Sequence, residues 1–537
     1  MKAVFHVLWM SVLGLAPILC AAEPAADAVK EFKSWFKDYR NGKINLYQKS
    51  AVPIANDHNG GYRYFRKDNV EEMDRLLAAL ALRNDLDAAM ALTDAATFAF
   101  DRRGDVEVSK YYEKQPWTMR SHAADALAKI TDEKALGWIT EHLLESRSQW
   151  DSRYRRCLGA RVLAEATDQA KRFLSALDDK DEKVREAALR ALGLRGTVHE
   201  IEQIYERLAD GSQIVRVAAV EAVGKILAND RNTHPTLFYE CMEKIKPLLD
   251  DPSWTVIDSV LSFMETFRDL RSIPVLVDYL GKVAAGRDDY RERTFRRIIE
   301  VLHSLTGVTS PGSDPQAWKE WWNENEATFV LPPEVPMRIG YQTGAAHFFS
   351  IPINSDNALF ILDISGSMAA PLDQTDPDSE EESKLERACG ELMNALSDLD
   401  PSVHFNIFLF NDSIKRFSKD FKSASKVNII AAEHFFRRAQ AEGGTNIFDA
   451  LNQALKLEEI GIVDRFGDDV ECDTVFLLSD GVPSSGMVID PEEIINIISS
   501  ANQRNRIRFH TIYLGEEHSD FMRKFAQKNF GEYIRVR

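Results

Sequence analysis

ALFILDISGSM, residues Ala358 to Met368, runs an apolar strand of the kind buried on both faces into a single carboxylate, Asp363. Two hydroxyls, Ser365 and Ser367, then flank one glycine. Strands of the same character follow: VHFNIFLFN, DTVFLLSDG, IRFHTIYLG and the terminal EYIRVR. Helical patterns at Lys384 to Leu399, Ala431 to Gln440, Ile447 to Glu459, Glu492 to Arg504 and Phe521 to Lys528 separate most of them, and SIKRF after Asn411 suits a short hairpin edge strand. Apolar central strands, each followed by a helix, predict an α/β doubly wound, Rossmann-like parallel sheet over residues 357–537.

In such a sheet, ligands gather beyond the carboxyl ends of the strands, where strand order reverses. Asp363 ends one strand and Asp480, in VFLLSDG, ends another. Between them EGGTNIFDAL opens a helix, with Gly443 and Gly444 permitting a tight turn that delivers Thr445. Three loops thus aim two acids and three hydroxyls at one crevice. These are hard oxygen donors, which suit magnesium or manganese and argue against zinc.

Asp363, Ser365 and Ser367 in a DxSxS pattern, Thr445 in GGTN and Asp480 in SDG together resemble the metal-ion-dependent adhesion site of von Willebrand factor type A domains, over about Asn357 to Arg537. The resemblance implies a divalent cation, Mg²⁺ first with Mn²⁺ or Ca²⁺ as alternatives, held by Asp363, Ser365, Ser367, Thr445 and Asp480. In the family the second aspartate often acts through a water, which leaves Asp363 as the direct anion. Neutral hydroxyls do not cancel the cation's charge, so it keeps an affinity for one more anion. The Asp or Glu of a protein partner is the natural occupant. AAPLDQTDPDSEEES, between Met368 and the helix near Lys384, is longer than the family's usual link and acidic. It reads as a solvated loop, with a second cation site or an internal carboxylate as the sharper alternatives; its spacing does not fit an EF-hand.

Residues 24–326 are almost wholly helix-patterned. Arg120, Arg156, Arg185 and Arg216 each have a small residue three positions on (Ala123, Gly159, Ala188, Ala219) and an aliphatic one seven on (Leu127, Leu163, Leu192, Val223), at intervals of 36, 29 and 31 residues. Such a period signals stacked helix pairs. Asp179, Asp210 and Asp251 each precede a valine by five residues and are suited to cap the next helix or pair with the arginine that follows. DEKVREAALRALG and SQIVRVAAVEAVG resemble HEAT repeats, and the resemblance implies an all-α HEAT-like solenoid with an extended surface for a partner. The tryptophan-rich segment Ser304 to Glu326 reads as its closing cap.

The expected organisation is therefore a signal peptide (1–22), a helical N-terminal region (23–115, with NDHNGGYRYF as a loop), HEAT-like repeats with their cap (116–327), a Pro/Gly linker and entry strand (328–356) and the α/β domain (357–537). The signal reading rests on Lys2, the apolar run Ala3 to Cys20 and the small residues of CAAEP; an uncleaved anchor is the rival. It implies a periplasmic or secreted protein.

The chain has 537 residues and a net charge of −18, which disfavours a nucleic-acid or anionic-lipid surface. Cys157, Cys241, Cys389 and Cys472 are widely spaced and read as buried thiols. A phosphatase of the haloacid dehalogenase type needs a second acid where Ser365 stands. No GxxxxGK(S/T) loop, GxSxG elbow or HExxH pair is present, and His404, His434, His510 and His518 are scattered. The sequence thus points to a non-enzymatic interaction protein, with an accessory subunit of an envelope enzyme second and a metal-dependent hydrolase third.

Overall fold

The computed structural model describes residues 27–41, 43–44, 47–53, 62–66, 69–98, 115–146, 152–230, 235–285, 292–333, 346–372, 382–456, 470–486, 488–515 and 519–536. The leader reading over residues 1–22 and the acidic residues Asp373, Asp376, Asp378, Glu380 and Glu381 lie outside them.

The chain begins with α1 (Ala28–Arg40), the antiparallel pair β1 (Tyr47–Pro53) and β2 (Tyr62–Arg66), α2 (Asn69–Arg83) and α3 (Leu86–Ala96). The hairpin departs from the helical expectation for this region. Part of the stretch read as a loop, YRYF, is strand, in keeping with its alternating aromatics after an Asn-Gly-Gly turn signal. Next come α4 (Gln115–Leu127), α5 (Glu133–Ile139), α6 (Ser152–Ala166), α7 (Glu182–Arg195), α8 (Ile201–Tyr205), α9 (Gln213–Asp230), α10 (Pro235–Ile245), α11 (Trp254–Phe267), α12 (Ser272–Ala285), α13 (Glu292–Thr306) and α14 (Pro315–Asn325).

Helices α6, α7, α9, α11 and α13 pack each on the next, forming one layer of an array. Small residues on the shared face permit the approach: a Cβ at Gly193 of α7 would lie 3.1 Å from the Cα of Ala222 in α9. The repeated aspartates do not cap helices, nor do they pair with the arginine that follows. Arg156, Arg185 and Arg216 instead reach forward, to Asp179 at 3.0 Å, Asp210 at 2.7 Å and Asp251 at 2.8 Å in the next unit. Arg185 and Arg216 also donate back to the carbonyls of Asp179 and Asp210. Each aspartate accepts the N–H two residues on, and Asp181 rather than Asp179 caps α7. Burial opposes the charge of Asp210, but Arg185 and the Ser212 N–H outweigh it and hold the carboxyl below its ordinary range. The ladder stops where Ile257 replaces the arginine. At the closing end, Trp318 of α14 is fully buried and donates to the Gly312 carbonyl at 3.0 Å.

The C-terminal part comprises β3 (His347–Phe348), β4 (Ile351–Pro352), β5 (Asn357–Asp363), α15 (Lys384–Asp398), β6 (His404–Phe410), β7 (Ile414–Arg416), β8 (Lys422–Ser423), α16 (Lys426–Phe436), α17 (Ile447–Ala454), β9 (Thr474–Ser479), α18 (Pro491–Asn505), β10 (Arg508–Tyr513), α19 (Asp520–Lys528) and β11 (Tyr533–Arg535). The entry residues form a small β3–β4 hairpin whose Phe348 is buried against Phe360 and Phe476. The main sheet has the order β11-β10-β9-β5-β6-β7, with β8 also on β6. Its core strands are parallel, while β7 and β8 run antiparallel to β6. Alternate residues of β5 feed two cores: Ala358, Phe360 and Leu362 pack with α15 and α16, Leu359 and Ile361 with α17, α18 and α19. Helix α16 starts five residues earlier than its apolar pattern suggests, because Ser425 caps it through the Asn428 N–H. Strand order reverses between β5 and β9, so Asp363 and Asp480 emerge side by side.

The two parts meet through ion pairs. Arg506, in a left-handed conformation (φ 49°) after α18, donates to Asp258, to Glu221 at 3.0 Å and to Ser262 at 2.7 Å. Arg508 forms a two-pronged pair with Glu300 at 3.1 and 2.7 Å. Arg297 of α13 binds Asp258 and Glu265 beside them. Burial opposes the charge of Glu300, yet Arg508 and Arg297 hold its carboxyl below the ordinary range. Arg506 precedes β10 and Arg508 is its first residue, so this network lies at the end of the parallel sheet opposite Asp363.

Farther along α18, His122 of α4 lies 2.5 Å from Asp74 and 3.8 Å from Glu493. Burial works against its charge, but the two carboxylates raise it to about 10. A histidine raised in the folded state gives stabilisation that is complete below its ordinary value near 6.5 and is lost as pH climbs toward about 10. Thermal stability should therefore fall between pH 7 and 10 more steeply in the wild type than in His122→Gln; equal slopes would contradict the pairing.

Candidate metal centre

Strand β5 ends in Asp363, whose side chain is fully buried. One carboxylate oxygen accepts the Ser365 N–H at 2.7 Å and the other accepts the Ser479 hydroxyl at 2.5 Å. Burial pushes the carboxyl up to about 6 against the lowering effect of Ser479 and Ser365. A dication beside it would reverse that shift, since the ion becomes the largest local charge.

After Asp363 the chain turns through a short 3₁₀ segment, Gly366–Ala369, which lifts Ser367. The Ser365 and Ser367 hydroxyl oxygens are 3.2 Å apart, and Ser367 donates to Asp480 at 2.7 Å. The Thr445 loop is stitched to both neighbours. Gly366 N–H donates to the Gly443 carbonyl at 3.1 Å, Glu442 N–H to that of Ile364 at 3.0 Å, and Ser484 N–H to that of Thr445 at 3.0 Å. A Cβ at Gly481, next to Asp480, would lie 3.8 Å from the Thr445 hydroxyl oxygen. All three loops of the DxSxS, GGTN and SDG segments therefore meet. Ser367 is exposed, whereas Asp363, Ser365, Thr445 and Asp480 are buried, so the crevice opens at Ser367.

These donors fit a small hard cation. Adjacent oxygens around magnesium at its usual bond length lie about 3 Å apart, close to the 3.2 and 2.7 Å separations of the Ser365, Ser367 and Asp480 oxygens. Among the described residues no group of three or more His, Cys, Asp or Glu could hold a metal, so a softer site has no competing candidate there.

Three participants escaped the sequence reading. Ser479 is signalled only by a hydroxyl before Asp480. Asp412 sits over the glycine pair, where a Cβ at Gly443 or Gly444 would lie 2.7 or 2.6 Å from its carboxylate oxygens. Lys384, the first residue of α15, places its ammonium 2.8 Å from Asp480, and no spacing rule announces it. Gly443 also has φ +79°. Gly443→Ala should therefore cost about 2 kcal/mol from backbone strain and the encounter with Asp412, and weaken cation binding by displacing Thr445. Urea denaturation with an unchanged midpoint would contradict this.

The histidines of the sheet stand elsewhere. His404 opens β6, at the far end of the strands from Asp363. His510 is stacked on Phe476, accepts the Glu532 N–H, and is pushed down to about 3 chiefly by burial.

The sequence model of the von Willebrand factor type A domain matches residues 377–534, a span that holds Thr445 and Asp480. Human inter-alpha-trypsin inhibitor heavy chain H2 is 27% identical over 199 residues, covering 35% of this chain and 19% of that protein. The heavy chain H1 of Sus scrofa is 28% identical over 200 residues, 36% of this chain and 20% of its own length. This chain thus spans about a fifth of these relatives. Among solved structures, a von Willebrand factor type A protein from Catenulispora acidiphila is 20% identical over 34% of this chain and 38% of its own, with a TM-score of 0.25. Following its helix-rich N-terminal region, the chain carries a von Willebrand factor type A domain.

Proposed function

We propose that this chain is a non-enzymatic recognition protein that grips an acidic group of a protein partner through a divalent cation held by Asp363, Ser365, Ser367, Thr445 and Asp480. The observation that carries the reading is the run of oxygen contacts from Ser365 through Ser367 to Asp480, which crosses two loops and has the buried Asp363 at its base. When bound, the cation supplies a positive centre open to an outside carboxylate. The chain's part is to hold three neutral hydroxyls beside it, so that its charge is not spent on the protein. With His404 at the other end of the sheet and His510 locked within it, neither stands ready as a base, which favours recognition over hydrolysis.

The helical array then has a supporting role. Its α9, α11 and α13 receive the chain's own Arg506 and Arg508, so that part of the layer is engaged within the molecule and the crevice lies at the opposite end of the sheet. We assign the protein to the periplasm or the exterior on residues 1–22; among the described residues no helix is long and apolar enough to cross a membrane. Immobilised full-length chain should capture its partner from envelope extract in Mg²⁺, release it in EDTA, and fail to capture a partner whose contacting Glu is changed to Gln. Capture insensitive to chelator would overturn the reading.

A further inference from the structure

Lys384 breaks two local rules. A lysine is seldom buried, yet this residue is 7% exposed. A cation is disfavoured at the positive end of a helix, yet Lys384 is the first residue of α15, placed there by the Ser383–Glu386 capping box. Its backbone is held as well: its N–H donates to the Ala370 carbonyl at 3.0 Å, next to the Pro371–Ser383 bridge that closes the neck of the acidic insertion. All this brings its ammonium to one oxygen of Asp480, while the other oxygen accepts from Ser367. A local conflict maintained by so many contacts marks a position under functional demand.

We propose that Lys384 is a built-in counter-cation of the crevice, which weakens the binding of the divalent ion and strengthens the hold of the loaded crevice on an outside carboxylate. The inference rests on the cation site proposed above. With Asp363 and Asp480 both ionised, a dication alone would leave the loaded crevice neutral; the ammonium leaves it with one surplus positive charge. The same charge repels the incoming ion and attracts the partner's anion. By engaging one oxygen of Asp480, it also restrains that carboxylate from turning both oxygens toward the ion. Lys384 is thus a specificity-determining residue: it exchanges affinity for the metal for affinity for the acidic ligand.

The test uses the full chain with Mn²⁺ as the ion and acetate as the simplest carboxylate, read by water-proton relaxation of bound Mn²⁺ and by thermal unfolding. Lys384→Met should bind Mn²⁺ about ten-fold more tightly. At saturating Mn²⁺ it should need several-fold more acetate to displace bound water, and Mn²⁺ should raise its melting temperature more than the wild type's, because Asp480 has lost its partner. Lys384→Arg, which keeps the charge, should resemble the wild type in all three. Unchanged or weaker Mn²⁺ binding in Lys384→Met, or acetate binding that does not fall, overturns the proposal. Asp363→Asn separates the two levels: Mn²⁺ binding retained there overturns the site itself, whereas binding lost there with no response to Lys384→Met overturns only the role of the lysine.

Discussion

Asp363→Asn is expected to lower Mg²⁺ and Mn²⁺ affinity by about a hundred-fold or more, because it removes the carboxylate at the base of the crevice. Ser365→Ala and Thr445→Ala should each lose about ten-fold or less, since water replaces a neutral oxygen more readily than a charge. Asparagine is the better replacement because the site is not a surface position. Asp363 is fully buried and accepts from Ser365 and Ser479, so alanine would orphan two donors at about 1 to 3 kcal/mol each. Asparagine keeps an acceptor and removes a charge that burial disfavours. In chelator, the melting temperature of Asp363→Asn should stay within about 3 °C of the wild type. Calorimetric titration showing undiminished Mg²⁺ binding in this variant would remove Asp363 from the site.

The second large effect concerns the junction of the two parts. Arg506→Ala or Arg508→Ala should each cost about 2 to 3 kcal/mol of the coupling between the helical array and the α/β domain, because each takes from a buried carboxylate one of its two arginines and leaves Asp258 or Glu300 with Arg297 alone. Asp258 and Glu300 are each 7% exposed, so water offers them little relief. Scanning calorimetry should show the chain carrying both Arg506→Ala and Arg508→Ala unfolding in two separated transitions, where the wild type shows the parts coupled. Arg508→Met with Glu300→Leu should recover most of the loss, as removal of both members of a buried pair commonly does. A single unshifted transition in Arg506→Ala would show that the network does not join the parts.

Much of this architecture was legible because its signals are local. Continuous apolar runs such as ALFILDIS and VFLLSDG belong to strands covered on both faces, and their acids fall at strand ends by position alone. The Arg-x-x-small pattern likewise marked one helix face of the array. What stayed hidden depends on partners distant in sequence. The aspartate register was visible, but not that Arg185 reaches past its own turn to Asp210. Arg506 and Arg508 sit at the start of the strand IRFHTIYLG, and nothing near them in sequence names Glu221, Asp258 or Glu300 as partners. The same holds for Lys384, whose link to Asp480 spans 96 residues. The β1–β2 hairpin was missed for another reason: a long helical context outweighed the short alternating signal in YRYF.

The most direct measurement is anomalous diffraction at the manganese edge from crystals of the full chain grown with MnCl₂ and acetate. A peak bounded by the oxygens of Asp363, Ser365, Ser367 and Thr445, with acetate on its open side toward Ser367, is the expected result. Manganese bound elsewhere with this crevice empty, or bound here with no position open to a carboxylate, would contradict a cation-bridged mode of recognition.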